Sequence, residues 1–508
     1  MKDELNYKSK TIYYDGNCPM CNIFADTIRK HDKEQTLINV NQEGFFEEKI
    51  KSELLLREIH LIDGKTIRTG PDAILTALAH LYPILKPIVF LIRLPIINWF
   101  ARQIYFFISQ RRLLFFGGDA SRLFWLFLVT NFGLLAGILI SWPAWQKERT
   151  YPLSPIIYGL DWLNQFTFIF LSILLLSLCL SFWHKRNFHL FSLISLSSLL
   201  PLIFLDITRL QPWIFHYGAI LFLLTFTKLT SSLRTAQILD AGRLVVVSIY
   251  FWSGIQKMNT AFITEIFPWV SKPIWSPFGD IGISITLLVG TLIPFIEAGF
   301  ALGLLTKRFR KISIFGSGLM LIFVFISLIL GHHWNIVVWP WNLVIFSMVF
   351  ILFYRVNDTL LEIIHRNKKN LFFIFALIFF FIMPLGNFFG KIDHYLSWSL
   401  YSGHVPTAYI TAKHNTINDL MPQKDQVYDP SNTLEQVSFV KWSTKTMNLV
   451  PYPEERIFFN IFLDFCQNYP NDKPILTLDT RTRFLSHQAK ITHYTCEEAS
   501  STKIENGP

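Results

Sequence analysis

Residues 11–30, TIYYDGNCPMCNIFADTIRK, decide how the first part of the chain folds. The β-branched and aromatic run at 11–14 is typical of a strand, and the apolar residues after Pro19 follow helical spacing. Cys18 and Cys21 stand three residues apart at the junction between the two. The stretch therefore predicts a strand, a turn that carries a thiol pair, and a helix.

The predicted helix start favours redox chemistry at this thiol pair. Pro19 suits the first helical position. The helix dipole and the unpaired N–H groups there stabilise a thiolate, which makes Cys18 the predicted nucleophile. Cys21 lies one turn further on and could resolve a mixed disulfide, while Asp15 could exchange a proton or cap the helix. A zinc half-site without a second ligand pair and two inert thiols remain alternative interpretations.

The residues that follow predict a small α/β domain. Its elements are a strand in QTLINVN (35–41), a helix in EGFFEEKIKSELL (43–55), a hairpin in EIHLIDGKTIRTG (58–70) that turns at Asp63–Gly64, and a closing helix in PDAILTALAHLY (71–82). This order of elements is thioredoxin-like.

The segment YYDGNCPMC (13–21) resembles the signature of the DCC family of thiol-disulfide oxidoreductases, and GPDAILTAL (70–78) is also similar to that family. The resemblance covers about residues 10–115. It implies a thioredoxin-like domain in which Asp15, Cys18 and Cys21 are the catalytic residues. No proline precedes the hairpin strand near Glu58, where thioredoxins hold the cis-proline that docks substrate.

Apolar residues dominate the rest of the chain. Of the 508 residues, 51% are hydrophobic and only 16% are charged, against about 25% charged residues in soluble domains. The charges crowd toward both ends of the chain. We therefore predict a multidomain protein with a thioredoxin-like α/β domain at 1–116, a polytopic all-α membrane domain at 117–386 and a small α+β domain at 387–508.

Nine apolar runs approach the ~20 residues that a bilayer crossing needs. They lie near 122–141, 165–183, 188–205, 212–230, 241–259, 280–304, 312–331, 334–354 and 370–386. Residues 84–116 are also apolar but are interrupted by Lys86, Arg93 and Arg102. This pattern predicts interfacial helices that lie on the membrane.

The positive charges predict the orientation of the chain. If the N-terminus is cytoplasmic, the inner loops hold thirteen Lys or Arg and the outer loops hold four. The positive-inside rule then places the C-terminus outside. We expect a multi-pass protein of a bacterial inner (plasma) membrane with lipid as a partner. Because much of the net charge of +10 lies in these loops, we expect no nucleic-acid partner.

Polar residues in or beside the apolar runs are costly and are therefore candidates for function. They are His216, Lys257, Glu297, His332, His333 and Asn335. Lys257 among aromatic residues could act as a base, His216 could shuttle a proton and Glu297 could balance a charge. Alternatively, Lys257 snorkels, the two adjacent histidines cap a turn and Glu297 holds helices together.

The segment YFWSGIQKMNTAF (250–262) is similar to the lysine segment of the vitamin K-dependent gamma-carboxylase superfamily and its bacterial HTTM relatives. The resemblance spans about residues 120–385. It implies that Lys257 is the catalytic base, that His216 in PWIFHYG is a helper histidine, and that His332 and Asn335 in GHHWN belong to the site. It further implies a quinone or quinol cofactor, which we expect near His332, Asn335 and Glu297, together with oxygen and carbon dioxide.

The polar C-terminal part predicts strands, one amphipathic helix and a disulfide. The strands lie in TAYITA (407–412), QVSFVKW (436–442) and PILTLDT (474–480), and the helix lies in EERIFFNIFLDFCQNY (454–469). We expect HYLSWSLYSGHVP (394–406) to lead from the last span along the surface. Cys466 and Cys496 would lie outside the cell, where disulfides persist, and a bond between them is one of two open alternatives.

Three functions follow from these patterns. The favoured one is a membrane-tethered thiol-disulfide oxidoreductase of the protein-disulfide reductase type, with a protein thiol or disulfide as substrate. The second is a gamma-carboxylase-like membrane enzyme with Lys257 as its base. The third is a non-catalytic membrane scaffold.

Overall fold

The computed structural model describes residues 10–15, 19–31, 36–40, 58–63, 66–110, 118–157, 159–183, 187–228, 232–328, 335–413, 416–417, 420, 434–481 and 489–506. The chain divides into two compact units, Met1–Trp125 and Leu126–Pro508.

The first unit is built on a small four-stranded sheet. Its strands are β1 Thr11–Tyr14, β2 Thr36–Asn39, β3 His60–Asp63 and β4 Thr66–Thr69, in the order β2-β1-β3-β4. β1 pairs parallel with β2, whereas the β1–β3 and β3–β4 pairs are antiparallel. Asp63 faces Thr66 across the hairpin, as expected for a turn at Asp63–Gly64. The predicted helix at 43–55 lies outside the described residues.

Four helices complete the described part of this sheet region: α1 Pro19–His31, α2 Gly70–Leu81, α3 Lys86–Ile92 and α4 Pro95–Gln110. Ala73 and Ala77 of α2 are fully buried in the core around β1. Gly70 opens α2 with a φ of +58°, and a Cβ there would lie 3.0 Å from the Glu58 carboxylate and 3.3 Å from the Tyr105 ring. The Tyr105 hydroxyl accepts a hydrogen bond from the Ile59 backbone N–H at 3.0 Å, which ties α4 to β3.

The rest of the described chain is mostly helical. Its apolar part contains α5 Gly118–Ile140, α6 Thr167–Ser181, α7 Phe188–Phe204, α8 Pro212–Thr225, α9 Ser232–Gln256, α10 Phe267–Trp275, α11 Gly279–Leu305, α12 Arg310–Ser327, α13 Val338–Phe353, α14 Leu360–Asn367 and α15 Leu371–Leu377.

Six helical segments among the described residues are long and apolar enough to cross a membrane. They are Gly118–Ile140, Trp162–Ser181, Thr235–Gln256, Phe262–Leu305, Arg310–Ser327 and Leu371–Phe389. Three shorter apolar helices, α7, α8 and α13, lie at the remaining predicted runs. The described chain therefore has six candidate spans by length and composition, where the sequence predicted nine.

Residues 260–279, predicted as an outer loop, are instead largely helical. A nearly continuous helical stretch runs from Phe262 to Leu305, with α10 in its first half. Pro268, the second residue of α10, has no N–H to donate to the helical turn Phe262–Ile266 before it. Gly279, with a φ of +56°, departs from right-handed helical geometry at the junction of α10 and α11.

Charged residues in the join between α7 and α8 are buried but paired. Asp206 accepts hydrogen bonds from Arg149 Nη2 at 2.6 Å and from the Thr208 hydroxyl at 2.7 Å. Arg209 Nε donates to the Ala144 carbonyl at 3.0 Å. Because each charge has partners, the short helices α7 and α8 can be joined by residues that would otherwise be costly to bury.

The C-terminal part of the second unit contains a second sheet, in which all strand pairs are antiparallel. Its strands are β5 Thr407–Lys413, β6 Leu434–Ser438, β7 Ile475–Arg481 and β8 Ala489–Tyr494, in the order β6-β5-β7-β8. The accompanying helices are α16 Phe439–Met447, α17 Glu455–Asn468 and α18 Cys496–Asn506. A disulfide joins Cys466 of α17 to Cys496 of α18, with Cα atoms 6.0 Å apart.

The structure corrects two expectations for this region, the end of one predicted strand and the course of residues 394–406. The strand predicted over 436–442 ends at Ser438, because the Ser438 hydroxyl accepts from the Lys441 N–H at 3.0 Å and starts α16. Residues 394–406 do not follow the surface, since His394, Trp398 and Ser402 are fully buried.

Candidate functional site

The predicted thiol pair lies at the junction of β1 and α1. β1 is the strand between β2 and β3, and Asp15 follows it directly with 8% of its surface exposed. α1 begins at Pro19, as the sequence predicted. Cys18 itself lies outside the described residues, in the short connection between Asp15 and Pro19.

Cys21 is the third residue of α1 and is 2% exposed. It belongs to the core that contains Ile12 and Tyr14 of β1 and Ala77 of α2. A thiol in this position is shielded from solvent. Molecules arriving from solution therefore do not reach it directly.

Residues 12–118 match the model of the family described as DCC1-like thiol-disulfide oxidoreductase. The match includes both cysteines and α1 to α4, and it covers about a fifth of the chain. No curated protein and no solved structure matches the chain. We call residues 12–118 the DCC1-like segment.

A second group of functional candidates lies outside the DCC1-like segment, where α9 packs against α11. Lys257 Nζ donates to Glu297 Oε2 at 2.6 Å and to the Ser253 hydroxyl at 2.7 Å. The two charged side chains are only 11% and 7% exposed. Lys257 therefore faces a carboxylate as well as aromatic rings.

Gly254 permits this pairing because it lets the two helices approach closely. A Cβ at Gly254 would lie 2.7 Å from the Ala298 backbone nitrogen and 2.7 Å from the Pro294 carbonyl oxygen. Small residues at helix contacts serve the same purpose in membrane proteins generally. Gly254 is one turn before Lys257, so the close approach fixes the distance to Glu297.

The Lys257–Glu297 pair forms part of the wall of a cavity of about 420 Å³. Most of the remaining wall is apolar or aromatic, with Phe267, Phe300 and Phe323 among its members. An apolar cavity with a small number of polar groups is typical of a ligand site. The pair is thus placed to contact the polar end of an otherwise apolar molecule.

Tyr401 also lines this cavity, and sequence reasoning missed it. Its hydroxyl accepts a hydrogen bond from Asn335 Nδ2 at 3.1 Å. Both residues have left-handed backbone angles, with φ of +51° and +50°, a conformation that is uncommon outside glycine and clusters at functional sites. Burial raises the pKa of Tyr401 to about 12, although the hydrogen bond from Asn335 opposes this shift.

Tyr401 also lines a second cavity, of about 240 Å³. Trp341, Asn335 and the Glu265–Arg481 ion pair, at 2.7 Å, belong to the second cavity. Tyr401 lies in residues 394–406, the segment that the sequence predicts as a surface connection.

The structure brings together only some of the polar candidates that the sequence predicted in or beside the apolar runs. Lys257 meets Glu297, and Asn335 meets Tyr401. His216 is fully buried and its Nδ1 accepts from Trp341 Nε1 at 3.1 Å; it is not among the residues that line the lysine cavity. His332 and His333 lie outside the described residues. No cluster of three or more potential metal ligands occurs in the described part of the chain.

Proposed function

We propose that the DCC1-like segment is the catalytic part of a membrane-tethered thiol-disulfide oxidoreductase that acts on protein disulfides. The observation that carries this proposal is the family match over residues 12–118, which contains the whole thiol pair. The start of α1 at Pro19, directly after Cys18, supports it because a helix N-terminus stabilises a thiolate.

The reaction would run through a mixed disulfide. The Cys18 thiolate attacks one sulfur of the substrate disulfide, the substrate S–S bond breaks, and the other substrate sulfur leaves as a thiolate that takes a proton from water. Cys21 then loses its proton and attacks the Cys18 sulfur, which releases the second substrate thiol and leaves a Cys18–Cys21 disulfide. Two electrons pass to the substrate, and a thiol reductant must restore the pair. Asp15, at the end of β1, is the candidate that takes the Cys21 proton and returns it to the departing substrate sulfur.

Burial of Cys21 fits the resolving role in this scheme. A buried thiol at 2% exposure does not compete with Cys18 for incoming disulfides. It can attack once the mixed disulfide has formed next to it.

The test is reduction of insulin by the full chain in lipid nanodiscs, with dithiothreitol as the reductant. We expect Cys18→Ser to abolish the turnover above the uncatalysed rate. Cys179→Ser is the matched control, since Cys179 lies on the exposed side of α6 and should leave the rate unchanged. A Cys18→Ser protein with the wild-type rate would exclude this function.

Further features support finer parts of the proposal. The β2-β1-β3-β4 order with one parallel pair favours a thioredoxin-like domain. We further propose nine crossings, in which the three shorter apolar helices α7, α8 and α13 would take the remaining predicted runs. With nine crossings, the loop charges favour a cytoplasmic N-terminus and an outer C-terminus in a bacterial inner membrane.

The lysine cavity supports a second candidate function, a gamma-carboxylase-like membrane enzyme. Lys257 would be the base, and Glu297, Tyr401 and Asn335 would orient a quinol, which would supply reducing power toward oxygen. The apolar wall of the cavity suits such a cofactor. Quinol epoxidation that survived Lys257→Ala would remove Lys257 from this role, and wild-type behaviour of both the Cys18 and Lys257 variants would favour a scaffold.

A further inference from the structure

The helices α3 and α4 of the first unit, together with the turn before them, expose many large apolar side chains. The exposed fractions are 83% at Ile84, 69% at Phe90 and 57% at both Trp99 and Phe100. Ile88, Leu91, Leu94 and Ile97 are each exposed by between 41% and 47%. An apolar patch of this kind is rare on a soluble monomer, so this face has a partner.

A cleft of about 370 Å³ lies beside this face, between α2 and α3. Thr76 and His80 of α2 line one side, and Lys86, Phe90 and Arg93 line the other. Arg93 is held at the edge of the cleft, because its Nε donates to Asp72 Oδ1 at 3.0 Å and its Nη2 donates to the Thr76 hydroxyl at 3.2 Å.

Lys86 and Arg93 line the cleft, and Arg93 pairs with Asp72 at its edge. Residues 66–110 hold four cationic side chains and a single carboxylate, namely Arg68, Lys86, Arg93 and Arg102 against Asp72. An anionic partner is therefore favoured over a neutral or cationic one. Aromatic and aliphatic side chains next to Lys and Arg are the composition of segments that lie in the headgroup layer of a membrane.

The bilayer is within reach of this face. Gly118, the first residue of the candidate span α5, follows Gln110 of α4 by eight residues. Eight residues extend over at most about 29 Å. The chain itself therefore holds the end of α4 within that distance of the start of the candidate span α5.

We infer that the α2–α3 cleft binds the headgroup of an anionic phospholipid. The Lys86 ammonium and the Arg93 guanidinium pair with the lipid phosphate, since charge-assisted hydrogen bonds to phosphate are strong. Ile84, Phe90 and Trp99 lie at the boundary of headgroups and acyl chains in the same leaflet. The inference goes beyond the proposed redox function and does not depend on it.

Native mass spectrometry of the full chain released from nanodiscs tests the headgroup site. In discs of mixed phosphatidylglycerol and phosphatidylcholine, we expect the wild-type protein to retain phosphatidylglycerol. Lys86→Gln/Arg93→Gln should lose at least one retained phosphatidylglycerol, and Lys86→Gln alone should weaken retention without disturbing the Arg93–Asp72 pair. Arg29→Gln/Lys30→Gln removes the same charge from the exposed side of α1 and is the control.

Photocrosslinking identifies what covers the apolar face. With p-benzoylphenylalanine in place of Phe90, we expect adducts whose mass adds one phospholipid. Crosslinks from this position to peptides of the chain, or no adduct at all, would overturn the membrane assignment. Equal retention of phosphatidylglycerol by the wild type and both Lys86 variants would overturn the headgroup site.

Discussion

At the scale of single residues, the buried Lys257–Glu297 ion pair gives a prediction about stability. Both charges are almost fully buried and 2.6 Å apart, so removal of one leaves the other without its partner. We expect Glu297→Gln to lower the free energy of unfolding by about 3 kcal/mol. Thermal unfolding in detergent measures this loss.

The double variant Lys257→Met/Glu297→Leu distinguishes the cost of one unpaired buried charge from the effect of losing the ion pair itself. Because it removes both charges, it should recover much of the stability that Glu297→Gln loses. Lys272→Ala, at an exposed lysine of α10, should change little and serves as the control. A Glu297→Gln protein as stable as the wild type would show that the pair is not formed.

Tyr401 gives a prediction about how the stability of the fold depends on pH. Burial raises its pKa to about 12, above the ordinary value of 10.0, so the folded protein holds the phenol proton more tightly than the unfolded chain does. The corresponding stability is complete below pH 10 and is lost as the pH rises from 10 toward 12.

Tyr401→Phe removes this contribution while keeping the ring. We expect the difference in unfolding free energy between wild type and Tyr401→Phe to be constant below pH 10 and to shrink between pH 10 and 12. The difference in phenolate absorbance between the two proteins should rise only near pH 12. A Tyr401 phenolate that formed near pH 10 would mean that the side chain reaches solvent.

At the scale of elements, the contact of α9 with α11 depends on Gly254. A methyl group there would meet the Ala298 nitrogen and the Pro294 oxygen at 2.7 Å, so Gly254→Ala must push the helices apart. We expect a loss of about 1–3 kcal/mol in unfolding free energy. Any activity that depends on Lys257 should also fall in Gly254→Ala, because the distance between Lys257 and Glu297 grows.

Gly299→Ala is the matched control on α11, since no atom lies within 4 Å of a Cβ at that position. Glycine-to-alanine in an exposed helical position slightly favours the helix. If Gly254→Ala and Gly299→Ala proved equally stable, α9 and α11 would not be in close contact at Gly254.

The disulfide between α17 and α18 closes a loop with a sequence separation of 30 residues. In the chain-entropy account, a loop of this size contributes about 3–4 kcal/mol. We expect Cys466→Ser/Cys496→Ser to lower the free energy of unfolding by that amount and therefore to melt at a lower temperature than the wild type. Reductant should lower the melting temperature of the wild type but not of the double serine variant, and equal sensitivity of both would contradict the bond.

At the scale of the whole molecule, the orientation proposed from loop charges has a direct consequence for the thiol pair. A cytoplasmic N-terminus keeps Cys18 and Cys21 away from reagents outside the cell. We expect an impermeant maleimide to leave both unmodified in intact cells and to modify Cys18 after permeabilisation. Modification of Cys18 in intact cells would reverse the proposed orientation.

Local patterns predicted the strands around the thiol pair and the start of α1, because apolar spacing and Pro19 act within a few residues. They misjudged residues 394–406, because the partners of that segment are remote in sequence. Asn259 Nδ2 donates to the Ser402 carbonyl at 2.7 Å, and Glu454 accepts from the His394 backbone N–H at 2.7 Å. Such contacts leave no periodic signal, and Tyr401 was missed for the same reason.

The central claim is that Cys18 and Cys21 form a reversible redox pair, and a redox titration tests it most directly. The full chain in nanodiscs, carrying Cys179→Ser, is equilibrated with glutathione buffers from reducing to oxidising, quenched, alkylated and analysed by mass. We predict that Cys18 and Cys21 lose their labels together in one two-electron transition, and that Cys21→Ser instead leaves Cys18 bound to glutathione. Two cysteines that were labelled at every potential, or that oxidised independently, would contradict the account.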